Sequence, residues 1–337
     1  MEMKEKVDCF FNYDKAEALS SKVMSMYFSK TPPFDNNIDE FFPDAILPKR
    51  YEKGSYKHAL YLFHSCVLDS NRRATEVYSA ARTLAEKIDL SKLYEVPSEE
   101  IMRILDAKFG KHASGRSVFP AATVLKNNSE KLKDEFEGDP RNLRMDGVWK
   151  TINNITQFLQ YGPGKAALLL KNYVRFGIWN FNDYEVPVKV DRHMMRICVS
   201  NDVVDFKKFE FRLKHDIEKP KALRLAVLNS LRLKHFDIED INNGKVYGVR
   251  TERFNVPLMK LFQRVTLKNN ISGIALDDSF WAIGNSLCNK NDHDVCYFSC
   301  KVNCSVRSPS DNNGVWFFTR NGNKRLDKRE GSKNFLF

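Results

Sequence analysis

Two groups of residues in this sequence could do chemistry. The first runs from Leu159 to Ile197: Gly162-Pro163-Gly164 precedes Lys165, and Asp191 follows 26 positions after that lysine. A glycine turn feeding a helix N-terminus exposes backbone N–H groups, which suits a phosphate. An aspartate held beside a sugar can stabilise positive charge on it as a glycosidic bond breaks. The second group is Cys288, Cys296, Cys300 and Cys304, four thiols within seventeen residues. Four thiolates so close suit a [4Fe-4S] cluster or a four-cysteine zinc site. His293 is a further candidate ligand beside them.

The elements that must position these groups read as helices. Tyr13–Phe28 has helical spacing, and Tyr56–Leu68 is apolar nearly all round, as a buried helix is. Arg72–Ile88, Ile101–Phe109, Ala121–Phe136 and Met145–Tyr161 follow as helices, the last running straight into the glycine turn. Gly162-Pro163-Gly164 is expected as a tight turn, with a helix over Lys165–Phe176. VPVKV then reads as extended chain, and Asp191 stands before a new helical segment. Beyond it Phe206–His215, Pro220–Leu233, Val256–Lys268 and Asp277–Leu287 are helical, the last read as capped by its paired aspartates. From Ser305 the chain is rich in Asn, Gly and Ser, with seven Lys/Arg against three Asp/Glu. The fold class expected is all-α.

Composition narrows the partners. The chain has 337 residues, 42% of them apolar, which is enough for real cores. Its formal charge of +11 favours a polyanion, nucleic acid ahead of an anionic membrane surface. No stretch approaches 18 apolar residues, so no membrane span is expected. MEMKEKVDCFF lacks the apolar run of a signal peptide, and an intracellular setting is expected, cytoplasmic, nucleoid or nuclear. Cys66 and Cys198 sit in apolar company, as reduced core thiols do.

GPGKAALLL followed by VPVKVDRHMMRI resembles the helix-hairpin-helix and Gly/Pro-Asp signature of the endonuclease III superfamily of DNA glycosylases. LDDSFWAIG at Leu276–Gly284, just ahead of the cysteines, resembles the lead-in to that family's iron–sulfur loop. The resemblance implies a two-lobed, all-α helix-hairpin-helix fold with a C-terminal four-cysteine metal loop. It implies that Gly162 and Gly164 hold a DNA phosphate, with His193 and Arg196 flanking the site. It makes Asp191 the catalytic aspartate. It makes Lys165 the candidate Schiff-base nucleophile, with Lys171 the alternative at 20 positions before Asp191. Such a lysine must be unprotonated to attack C1′. Seven, three and three residues lie between successive cysteines, and a [4Fe-4S] cluster leads zinc on family context.

The expected organisation is a segment over 1–55 packing with the C-terminal lobe and a helical lobe over 56–165 ending in the hairpin. The second hairpin helix, aspartate segment and C-terminal helices fill 166–287, with a metal loop over 288–304 and a basic tail over 305–337. The function implied is excision of a damaged or modified base from double-stranded DNA by a monomer, with or without AP-lyase activity. The alternatives are a non-catalytic nucleic-acid-binding protein and an N-glycosidase acting on RNA or nucleosides. Each residue also has a structural role open to it. Asp191 can be an N-cap, Lys165 a solvated lysine, and Trp179 and Phe181 core aromatics or pocket walls.

Overall fold

The computed structural model describes residues 10–34, 47–49, 51–69, 74–109, 120–191, 194, 197–198, 201, 203–205, 252–287 and 302. Among them the architecture is helical, with nine α-helices and one two-residue strand pair. None of these helices is long and apolar enough to cross a membrane. The chain divides into two compact units: residues 37–189, and residues 1–36 with 190–337.

In the first of these, the central unit, α2 (Tyr56–Leu68) is the hub. Every side chain from His58 to Leu68 is buried, as its apolar circumference requires. The Ser55 hydroxyl caps its start by accepting from the His58 N–H at 3.2 Å. Around α2 pack α3 (Ala74–Lys87), α5 (Ala121–Phe136) and α7 (Pro163–Arg175), with α4 (Ser98–Phe109) lying on α3 and α5. A helix enclosed this way needs buried donors as well as apolar neighbours. The Tyr173 hydroxyl donates to the Ala59 carbonyl at 2.7 Å and the Tyr161 hydroxyl to that of Phe63 at 2.5 Å. Burial pushes both phenols well above their ordinary range, so each stays a protonated donor.

Two boundaries differ from the sequence expectation. The helix expected over Met145–Tyr161 is only α6 (Val148–Ile155). Beyond it the Leu159 N–H donates to Asn128 Oδ1 at 2.8 Å, and the Leu159 carbonyl accepts from Asn128 Nδ2 at 3.0 Å. Those tertiary bonds replace the intrahelical ones, and Gln160 turns left-handed at φ 62°. Next, α7 begins two residues earlier than expected. Gly162 is its N-cap, and Pro163 and Gly164 are its first helical residues. Proline suits that position because its missing N–H has no intrahelical acceptor there and its φ is already helical. The whole of α7 packs on α2 and α6, so the boundary of the central unit falls after Lys189, whereas the sequence reading divides the chain at 165–166.

In the other unit α1 (Tyr13–Phe28) packs against α8 (Glu252–Asn269) and α9 (Gly273–Ala282). β1 (Phe10–Phe11) pairs antiparallel with β2 (Val204–Asp205). The sequence expectation for α9 is corrected. Its cap is Ser272, whose hydroxyl accepts from the Ala275 N–H at 2.9 Å. Asp277 and Asp278 lie in the helix body and are buried, so they are not first-turn capping residues. The segments expected as helices over Phe206–His215 and Pro220–Leu233, and the tail from Ser305, lie outside the described residues.

Candidate functional site

The N-terminal end of α7 is held from behind. Asn128 grips Leu159 by both backbone groups, and Tyr161 is pinned to α2 through Phe63. Gly162 follows, exposed, at φ −90° and ψ 174°. That conformation is open to any residue, and a Cβ placed there would meet nothing within 4 Å. Among the described residues neither strain nor packing calls for glycine at this position. No side chain caps this helix end. The first N–H groups of an α-helix have no intrahelical acceptor, and the macrodipole adds partial positive charge there.

Lys165, the third residue of α7, turns back onto α2. Its ammonium donates to the Val67 carbonyl at 2.8 Å, in the last turn of that helix. A cation there satisfies an orphan carbonyl and meets the negative end of the α2 dipole. Lys165→Met, which keeps the stem and removes the charge, is therefore expected to lower stability by about 1–2 kcal/mol. Thermal melts check this; an unchanged melting temperature would leave the contact without energetic weight. Lys171 is 5% exposed and enclosed by protein on nearly all sides, two turns into α7.

Asp191 lies in the other unit, two residues beyond the last residue of the central one. Its Oδ1 accepts from the Met194 N–H at 3.0 Å, the i to i+3 bond of an N-cap. Met194, Ile197 and Cys198 beyond it are helical and buried. The capping role open to Asp191 in the sequence is thus present, and the bond holds the carboxylate in one orientation while leaving the residue half-buried. Before it, Val186, Pro187, Val188 and Val190 are buried and Lys189 is half-buried.

Trp179 is a core residue. It is buried, its indole N–H donates to the Arg141 carbonyl at 3.0 Å, and its ring meets that of Tyr173 at 4.5 Å between centroids. Phe181 is half-buried, with the Arg144 guanidinium 4.7 Å over its ring. Cys66 and Cys198 are buried thiols, and burial pushes that of Cys198 up. His193, Arg196, Cys288, Cys296, Cys300, Cys304 and His293 lie outside the described residues. Among the described residues no group of three or more His, Cys, Asp or Glu is placed to hold a metal ion.

Asp69 reads in the sequence as a helix cap in a polar cluster, but its pairing with Lys189 escapes such a reading. The Lys189 ammonium lies 3.1 Å from Asp69 Oδ2, bridging 120 positions. No local pattern announces such a pair, since neither periodicity nor turn chemistry reaches across that separation. Asn128, which holds the turn ahead of α7, is equally silent in sequence. Its only local sign is a polar residue on the buried side of α5.

No protein family and no curated relative matches the chain.

Proposed function

We propose that this protein is a DNA N-glycosylase of the helix-hairpin-helix kind, excising a damaged or modified base from duplex DNA. The observation that carries the reading is the open helix end at Gly162, where the chain keeps glycine without a steric need for one. A phosphate needs close approach to backbone N–H groups, and the absence of a Cβ allows it. A strongly basic chain supplies the remaining attraction for a polyanion.

The chemistry assigned to the chain is hydrolytic. The target nucleotide is extruded from the stack at a cost of roughly a few kcal/mol. The C1′–N bond breaks, the base departs with its electron pair and takes a proton, and a water oxygen bonds to C1′. Asp191 stabilises the oxocarbenium charge that develops between those events. Lys165 already donates to α2, which favours simple base release over strand cleavage through a Schiff base. Cys288, Cys296, Cys300 and Cys304 are assigned to a structural [4Fe-4S] cluster, with zinc as the alternative donor-set match. Absorption near ~400 nm in anaerobically purified protein distinguishes them.

A panel of duplexes carrying modified bases, scored for base release and for borohydride-trapped adduct, tests the activity. Release without adduct is expected. Binding without release would favour a non-catalytic nucleic-acid-binding protein, and release from nucleosides or RNA alone would favour the other N-glycosidase reading. Gly162→Asp tests the phosphate grip separately. Aspartate is a good N-cap and complements the dipole, so stability should rise by about 0.5–1 kcal/mol. Its carboxylate would also repel a phosphate, so duplex affinity should fall at least about tenfold. If affinity instead holds while stability rises, the helix end is not a phosphate site.

A further inference from the structure

We propose that the outward side of α8 is a contact surface for the DNA backbone, a track for phosphates formed by Lys260, Arg264 and Lys268 and held in place by Tyr13 of α1. The proposal rests on the duplex-binding part of the reading above. It needs neither base release nor the helix end at Gly162.

Lys260, Arg264 and Lys268 stand four residues apart on α8, so they line one side of it, successive members about 6 Å apart along the axis. All three are exposed. Lys268 lies in the last turn, where a cation answers the helix dipole. Lys260 and Arg264 stand before that turn, where the dipole has little hold. Like charges at this spacing repel one another and destabilise a helix. Helix stability therefore does not account for the row, whereas a polyanion gains from every member of it.

The start of α1, packed against α8, shows how the row is held. The Arg264 guanidinium lies 5.3 Å from the centre of the Tyr13 ring, and the Lys268 ammonium 5.1 Å from it. The face of an aromatic ring attracts cations, so one ring draws two like charges to one place. The carboxylate beside them is Glu17, and its oxygens are already engaged. They meet Lys268 at 3.0 Å and accept from Asn269 Nδ2 at 2.8 Å and from the Tyr13 hydroxyl at 3.4 Å. Arg264 meets no carboxylate among the described residues. Asp14 stands in the first turn of α1, where it answers that helix's own dipole. The surface thus keeps an excess of positive charge. Its exposed guanidinium is positioned by a ring, and a phosphate has oxygens that match the guanidinium fork. An anionic membrane suits it less well. An interfacial helix buries a broad apolar side, and Leu267 is the one large apolar side chain that α8 exposes among the described residues.

The test uses the full chain and an unmodified duplex, with Kd measured from about 50 to about 200 mM salt. Arg264→Gln should lower the steepness of log Kd against log salt by about 0.9. Lys260→Gln, Arg264→Gln and Lys268→Gln together should lower it by about 2.7, with affinity at the low-salt end falling at least about tenfold. Glu17→Gln should act in the opposite direction and tighten binding about twofold or more, because it removes the negative charge beside the row. Changed melting temperatures with slope and affinity as in the unaltered protein would overturn the proposal and leave a solvated row. Gly162→Asp supplies the comparison. If it weakens binding while the α8 variants do not, the helix end stands and the α8 surface falls; the opposite pattern keeps the α8 surface and removes the helix end. An unaltered protein that binds no duplex at about 50 mM salt sinks both. Vesicles of phosphatidylserine and phosphatidylcholine give a further arm. A triple variant that loses vesicle binding but keeps its duplex affinity would assign the row to a membrane surface and overturn the proposal. If the triple variant fails to fold, the opposed shifts of Arg264→Gln and Glu17→Gln decide the question.

Discussion

Asp191→Asn should lower the rate of base release by about 10²–10³-fold while leaving the protein folded. Asparagine has the shape of aspartate and keeps an oxygen in the place of Oδ1. It still accepts from the Met194 N–H, now 3.0 Å from that oxygen, and asparagine caps helices about as well as aspartate does. Stability is therefore expected to stay within about 0.5 kcal/mol. What the substitution removes is charge. A transition state with positive character on the sugar loses a carboxylate and gains a neutral dipole, so the loss falls on the chemical step. Duplex affinity should hold or rise slightly, because a negative charge has been taken away from a polyanion's partner. Asp191→Ala supplies the contrast, losing cap and charge together and destabilising by about 1 kcal/mol. Single-turnover release, duplex Kd and thermal melts separate these effects. If Asp191→Asn releases base at the unaltered rate, Asp191 is a helix cap and nothing more.

Acid should unfold the central unit, and two histidines of α2 set where. His58 and His64 are buried, and burial lowers their pKa values to about 4 and about 3, with Lys53 adding to the effect at His58. His58 Nδ1 accepts from the Gly54 N–H at 3.0 Å, so its proton is assigned to Nε2, which is buried without a partner among the described residues. His64 meets Ser129 Oγ at 3.4 Å through Nε2, and its Nδ1 is likewise buried without a partner. A second proton would break the first contact and leave a buried charge at either ring. The sign follows directly. An unfolded histidine titrates near 6.5, above both folded values, so the unfolded state binds more protons as pH falls. The stability is fully present above about pH 6.5 and is lost progressively toward pH 4 and below. At about 1.4 kcal/mol per pKa unit, the two together remove on the order of 5 kcal/mol by pH 4. That is comparable with the whole stability of an ordinary domain, about 5–15 kcal/mol. Melting temperature measured from pH 7.5 to 4 should fall steeply below pH 6, and His64→Leu should flatten the fall. A melting temperature that stays level down to pH 4 would show that neither ring resists protonation.

Some of this architecture is local and therefore legible in the sequence. The spans Tyr13–Phe28, Tyr56–Leu68 and Ala121–Phe136 agree between expectation and structure, because apolar spacing and the Asn12 and Ser55 caps act within a few residues. Asp191 belongs to the same class, since its bond to the Met194 N–H spans three positions. The ends of α6 and α7 are different. Asn128, 31 positions away, takes the backbone groups of Leu159 that would have continued the first helix. Pro163 and Gly164, both helix breakers in an interior, are tolerated in the first turn of the second.

The sequence by itself determined the helical class, the glycine end of α7, the carboxylate at 191 and the clustering of four thiols, all of which depend on residue type and short spacing. The tertiary structure decided what the lysines do. Lys165 meets the Val67 carbonyl across 98 positions and Lys189 meets Asp69 across 120. A lysine carries the same three donors wherever it stands, and its long stem reaches in many directions. Only the packing of α7 on α2 brings an acceptor within 3 Å of one of them and gives that charge a partner.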